Sequence, residues 1–298
     1  MIDTKGKVTL SFDCEGRWGM ADRNHAWLSE LTNNNLAEVY EYILETLKKY
    51  NIAATFAFVG ALTETKENFL KNALPQLTGT NHQKWIKPIL KSIDKNEGWF
   101  IPEVFELVRG SHIHECASHG YTHTPFSCLD PSEFKTEMNL IKQWSIGKNI
   151  ECKTLIYPRN DIKYSNLIKN YGIELYRKPP KLFYIKSFPK YLNTFFEELN
   201  IFKKSEALDL DKFSIPGGVF INWKYGPRKM IPRMISDLRY KNILNHAVKR
   251  SNVAHFWIHP HNFITAPESK VIFEKLCHQI QNKVELNQLE VHRQVDFI

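Results

Sequence analysis

The chain has 298 residues, 43% hydrophobic, 24% charged and 13% aromatic, and a chain of that size buries a sizeable core without disulfides or a structural metal. Its 13 Gly and 14 Pro are too few for a collagen-like or low-complexity chain, and the aromatic content excludes wholesale disorder. The 40 basic residues exceed the 32 acidic ones by a net charge of +8, but they are dispersed, unlike the dense basic clusters of a nucleic-acid binder, and no nucleic-acid partner is expected.

Short β-rich runs alternate with longer helical ones. Lys7 to Phe12 (KVTLSF) reads as a first strand. Leu36, Val39, Tyr40, Ile43, Leu44 and Leu47 recur at steps of three and four, the stripe of an amphipathic helix behind a cap at Asn33-Asn34-Asn35. Ile52 to Val59 is a second strand stopped by Gly60, Pro131-Ser132 opens a helix to about Gly147, and Thr154 to Tyr157 is another short strand. Ile162 to Asn170 reads as helical, Ile173 to Tyr176 as a strand and Ser214-Ile215 as an edge. Pro232 to Lys249 is a helix, Val253 to Ile258 (VAHFWI) a buried strand, Glu268 to Gln281 a helix and Gln288 to His292 a last strand. This alternation predicts an α/β fold around a parallel sheet, open or closed into a barrel.

Two stretches break the beat. Leu62 to Ile113 holds Trp85, Trp99, Pro75, Pro88 and Pro102, and connections of that length carry lids or small subdomains. Arg177 to Lys204 is basic and crowded with Phe183, Tyr184, Phe188, Tyr191, Phe195, Phe196 and Phe202. The five cysteines, Cys14, Cys116, Cys128, Cys152 and Cys277, are odd in number and form no CxxC pair, which points to a reducing compartment. No signal-peptide stretch follows Met1 and no run of ~18 apolar residues occurs, so a cytoplasmic protein is expected.

In parallel α/β folds chemistry gathers at the carboxyl ends of strands. Here Asp13 and Glu15 follow the first strand, His119 and His123 stand in Ser118-His-Gly-Tyr-Thr-His, Arg159 follows Tyr157-Pro158, and His259 and His261 follow VAHFWI. Each has an ordinary reading on its own. In a chain with 12 His an HxxxH pair on one side of a helical turn arises by chance, Asp13 could cap a turn, and Arg159 could be a surface ion-pair partner. Their joint placement at strand ends, in one order, lifts the set above background, with a structural ion-pair network at the barrel mouth as the alternative.

That order resembles the polysaccharide deacetylase family, the NodB-homology hydrolases of carbohydrate esterase family 4. Thr9-Leu-Ser-Phe-Asp13-Cys-Glu15-Gly16 stands in the place of the T-F-D-D-G motif, in the D-x-E form of some branches. Ser118 to His123 keeps the spacing of H-[ST]-x-x-H, with Gly120 at the Ser/Thr position; Arg159 matches the arginine of the third motif, and Trp257-Ile258-His259 the Leu-x-His motif. The resemblance implies a distorted (β/α) barrel of about seven parallel strands, one catalytic domain over residues 1–298 with insertions at about 62–113 and 177–213. It further implies a divalent metal, zinc for this donor set, held by Glu15, His119 and His123. Asp13 would be the base that takes a proton from water, Arg159 would hold Asp13 ionised, and His259 would protonate the leaving amine. Cys14 competes with Glu15 as ligand, although residues 13 and 15 of an extended segment share a face that residue 14 does not. His261 competes with His259 as acid, and Tyr121, His261 and Asn262 are candidate substrate contacts.

The function so implied is removal of an N-acyl, chiefly N-acetyl, group from an amino sugar, and the absence of an export signal favours a nucleotide- or lipid-linked intermediate of surface-glycan synthesis. A non-sugar amide, ureide or formamide, and a catalytically inactive carbohydrate-binding barrel, are the alternatives. Within the second insertion, Leu192, Phe195, Phe196, Leu199 and Phe202 fall at helical spacing, the pattern of a helix packed on the barrel. Lys178, Lys181, Lys186 and Lys190 interleaved with aromatics would instead suit a peripheral contact with an anionic membrane. Trp85 and Trp99 are buried anchors or sugar-stacking rings. The oligomeric state is open.

Overall fold

Strand β1 (Gly6–Cys14) is the centre of the molecule. It is buried on both faces, with Val8, Leu10 and Phe12 alternating against Thr9, Ser11 and Asp13. The computed structural model describes residues 5–182, 184–208 and 213–298. Phe183, residues 209–212 of the second expected insertion and the side chain of Lys190 lie outside the described residues.

To one side of β1 lie β2 (Thr55–Phe58), β3 (Glu115–Ser118), β4 (Thr154–Leu155), β5 (Leu175–Arg177) and β6 (Ser214–Ile215). To the other lie β8 (Val253–Ile258) and β7 (Val219–Phe220), while β9 (Leu289–Val291) pairs with Gly6–Val8. These pairings are all parallel. Among the described residues the sheet has nine strands against about seven expected, eight of them curling into a half-barrel in the order β6-β5-β4-β3-β2-β1-β8-β7 with β9 beside β1.

The helices cover the outside through the stripes read from the sequence. Asn33–Lys49 buries Leu36, Val39, Tyr40, Ile43 and Leu47, with Tyr40 stacked on Phe58 at 6.1 Å. Its cap is Thr32, whose hydroxyl accepts from Asn35 N, rather than the asparagine run. Pro131–Gly147 opens on a capping box between Asp130 and Glu133. The expected helix over 162–170 shrinks to a 3-10 turn at Ile168–Tyr171. Tyr164 adopts a φ of 60°, and its hydroxyl and Lys163 Nζ both donate to the Leu129 carbonyl, tying the segment to the neighbouring loop instead.

Residues 62–113 fill the connection from β2 to β3 with short helical turns and two longer helices, Thr80–Leu90 and Pro102–Gly110. Trp99 is one of its buried anchors, edge-on to Trp18 at 5.7 Å. In the second insertion the helix Lys190–Leu199 forms, but it turns Asn193, Glu197 and Glu198 inward, leaves Leu192, Phe195 and Leu199 half-buried and exposes Phe196. That corrects the expectation of an aromatic face packed on the barrel. Among the described residues no helix is long and apolar enough to cross a membrane.

Candidate active site

Register decides which side chains meet. Asp13 pairs with Ala57 and Ala57 with Ala117, while Cys14 pairs with Phe58, Phe58 with Ser118 and Ser118 with Leu155. The strands therefore end nearly level, and the residues that follow them, Glu15, His119 and His259, converge at one mouth. Ala57 and Ala117, beside Asp13 on the inner face, are small enough to leave room for larger polar groups.

Glu15, His119 and His123 each offer a ligand atom, all within 4.8 Å of one another and all buried. Glu15 Oε2 lies 2.7 Å from His123 Nε2 and 3.6 Å from His119 Nε2. His119 donates Nδ1–H to the Ile156 carbonyl at 2.8 Å, which turns Nε2 toward Glu15. His123 Nδ1 is buried without a hydrogen-bond partner, and its Nε2 faces Glu15. Burial pushes the His123 imidazole below its ordinary value, while Glu15 ionises well below the usual carboxylate range because the surrounding histidines outweigh its own burial. A buried carboxylate, two imidazoles and a buried ring nitrogen without a partner are a donor set that fits a divalent cation of the zinc type. Cys14 points the other way: its thiol reaches the Phe12 carbonyl, and burial pushes it well above its ordinary value.

The two histidines are not on a helical turn. His119 ends β3, and the chain doubles back through Gly120 at φ 77° and His123 at φ 60°, bringing the rings to 4.9 Å. A Cβ at Gly120 would meet Pro158 Cγ at 2.9 Å, which explains glycine where the family pattern has Ser or Thr. The buried carboxylate of Glu137 holds this loop, accepting from Tyr121 N, Thr122 N and the Thr122 hydroxyl at 2.7 to 3.0 Å.

Asp13 is gripped by Arg177, not by Arg159. Both Arg177 Nη atoms donate to its carboxylate, at 2.8 and 2.7 Å, and the guanidinium lies 4.5 Å over the Trp257 ring. Burial alone would raise the Asp13 carboxyl; Arg177, with His119 and His259, holds it below the usual value. Arg159 sits at φ 59° and turns outward, pairing with Asp22 and stacking on Trp85 at 4.9 Å. Its neighbour Asn160 is the residue that reaches Arg177, at 3.0 Å. Arg177 was legible as one more polar residue at a strand end, but the strand was expected to stop at Tyr176.

His259 Nε2 stands 3.5 Å from Glu15 Oε1, and at 21% side-chain exposure it is the histidine of the cluster open to solvent. Asn262 Oδ1 accepts from its Nδ1 and its backbone N–H, so Asn262 orients His259 and is itself buried. His261 is buried between His259 and Trp27, its imidazole pushed down to about 3 by burial. Tyr121 is corrected more firmly: its ring lies against Gly60 in a surface recess shared with Trp144 and Lys148, away from the cluster. Trp85 does reach the site, its ring 6.2 Å from His123 and its indole N–H on the Thr122 carbonyl.

Two supporting features went unread. Gly19 lies so close to Glu15 that a Cβ there would run into the carboxylate. Gly19→Ala displaces Glu15 and weakens metal binding by about 10- to 100-fold, read by competition with a chelator; wild-type affinity would contradict this. The second is a chain behind Arg177. His255 Nδ1 donates to the Pro216 carbonyl at 2.7 Å, Ser11 lies 2.8 Å from His255 Nε2, and Arg177 Nη1 reaches Ser11 Oγ at 3.4 Å. Burial and then Arg177 push the His255 imidazole down to about 3. The unfolded chain therefore takes up this proton first, and stability falls as pH drops from about 6.5 toward 3. His255→Gln flattens that slope by a few kcal/mol in urea unfolding measured from neutral to acid pH; an unchanged slope would contradict the assignment.

A parallel half-barrel with a carboxylate and two imidazoles at its mouth has the layout of a hydrolytic metal site. The sequence pattern of the polysaccharide deacetylase family matches residues 4–173, more than half of the chain, and the chain belongs to that family. The fold is the α/β half-barrel of NodB type, and membership supports a carbohydrate deacetylase, though pseudoenzymes occur in the family. Among solved structures, a 4-alpha-glucanotransferase from Thermococcus litoralis is 12% identical with a TM-score of 0.50, covering 98% of this chain and 40% of its own. The family 4 carbohydrate esterase from Streptomyces lividans is 12% identical, TM-score 0.44, covering 96% and 91%. A family 4 pseudoenzyme from Bacillus anthracis is 13% identical, TM-score 0.46, covering 98% and 65%. No curated protein matches the chain.

Proposed function

We propose that this chain is a divalent-metal-dependent amidohydrolase that removes an N-acyl group, acetyl by preference, from an amino sugar carried on a nucleotide or a lipid. The observation that carries the reading is the convergence of Glu15, His119 and His123 within 4.8 Å beside the Asp13–Arg177 pair. Glu15, His119 and His123 would hold a divalent cation, which when bound would supply Lewis acidity toward water and the scissile carbonyl. Asp13 accepts the proton of the attacking water, kept ionised and aimed by the paired Arg177 donors. His259, oriented by Asn262 and open to the pocket, donates a proton to the departing amine. The C–N bond breaks, acetate leaves, and the free amine stays on the sugar.

The test is acetate release from N-acetylated sugars in free, nucleotide-linked and lipid-linked form, with the protein stripped of metal and then reloaded with zinc. Release that vanishes on stripping and returns on reloading is the expected result. No release from any of them by the reloaded protein would refute the reading.

A further inference from the structure

The helix Lys190–Leu199 is built inside out. Its buried side is polar: Glu197 and Glu198 both receive Arg239, at 2.5 and 2.6 Å, with Arg228 on Glu198 at 3.2 Å and Lys203 on Glu197 at 3.1 Å. On its outer side Tyr191 is 57% and Phe196 40% exposed, and in the segments flanking it Leu182, Tyr184 and Phe202 stand 63%, 69% and 79% in water. A helix that rests on a globular core shows the reverse arrangement. The flank is held in place as well, for buried Asn193 accepts from Ile185 N and donates to the Ile185 and Phe188 carbonyls at 2.7 to 3.1 Å. Several large apolar side chains left in water around one helix mark an interaction site.

Charge says what covers it. Residues 178–204 hold six lysines and two glutamates, and both glutamates are turned inward onto Arg239. Lys186 and Lys204 are exposed beside the aromatic residues, and Lys181 is 79% exposed at its side chain with Glu206 as partner. The turn Gly226–Met230 packs on the helix and adds Lys229 and an exposed Met230. Exposed aromatics ringed by lysines are the composition of a surface that sits in the headgroup layer of an anionic bilayer. We infer that this face docks the protein on an anionic membrane. A cavity of about 370 Å³ is lined by Tyr184 and Phe188 of this face and by Phe220. The Phe220 ring is 5.7 Å from His259, so the docked face leads toward the candidate active site; that clause alone rests on the proposed function.

The test is flotation of the whole protein with vesicles of phosphatidylcholine alone or mixed with phosphatidylglycerol, at low and high salt. The expected result is binding to the phosphatidylglycerol vesicles at low salt, released by high salt. Lys186→Glu/Lys204→Glu and Tyr191→Ser/Phe202→Ser each lower the partition by about tenfold, with unchanged melting temperature and unchanged acetate release from a soluble sugar. Absence of binding, or variants that float like wild type, overturns the inference. So does a dimer seen in sedimentation that the same variants dissolve, since a second copy would then cover the face. Flotation does not depend on turnover: a protein that floats without releasing acetate refutes the proposed function alone, and one that releases acetate without floating refutes the docking face alone.

Discussion

Arg177→Leu lowers turnover by about 10²- to 10⁴-fold, the contribution of a positioned general base, whereas Arg159→Leu costs less than about tenfold. The difference follows from which carboxylate each guanidinium holds. Without Arg177, burial is the largest influence left on Asp13, and burial raises a carboxyl. The base then stays protonated to higher pH, and the acid limb of the kcat/KM profile moves in the alkaline direction. Arg159 holds Asp22 at the rim, so its loss leaves that limb in place. The single variant also strands a buried carboxylate, a loss of about 3–5 kcal/mol. Asp13→Asn/Arg177→Leu recovers much of that stability in urea unfolding and stays inactive. A double variant that regains turnover, or an Arg177→Leu profile whose limb does not move, would reduce the pair to a structural ion pair.

His119→Ala has the second large effect. His119 brings a lone pair whose direction is fixed by the Ile156 carbonyl, and removing one of three protein ligands empties the site at ordinary metal concentrations. Metal content after gel filtration drops from about one equivalent to near zero, and acetate release drops with it. The fold survives, because the ring occupies the barrel mouth and not the layer of Phe12, Phe56 and Phe273. An active, folded His119→Ala protein with full metal content would remove His119 from the site.

Much of this arrangement could be read from the chain. β8 runs over the expected Val253–Ile258, and β1, β2 and the four long helices, Asn33–Lys49, Pro131–Gly147, Arg233–Arg250 and Glu268–Glu285, lie where the sequence reading put them. The same alternation in β1 separates Asp13 and Glu15 from Cys14. What escaped depends on contacts between distant segments. Arg159 and Arg177 both stand near strand ends, and only the left-handed backbone at Arg159 and Asn160 turns the first outward, while Arg177 at the end of β5 reaches Asp13. The Lys190–Leu199 helix has apolar residues at helical spacing, but spacing does not say which face is buried. The decision falls to Arg239 of a later helix, whose buried charge draws Glu197 and Glu198 inward. Tyr121 sits inside a motif of otherwise functional residues, yet the turn through Gly120 points it away. Gly19 carries no pattern at all; its importance is the room it leaves for Glu15.

The most direct measurement is an anomalous difference map from crystals of the protein loaded with zinc. The account predicts one strong peak at about 2.0–2.2 Å from Glu15, His119 and His123, with Asp13 still on Arg177. A protein that stays metal-free in excess zinc, or a peak bound elsewhere with these three side chains unengaged, would contradict it.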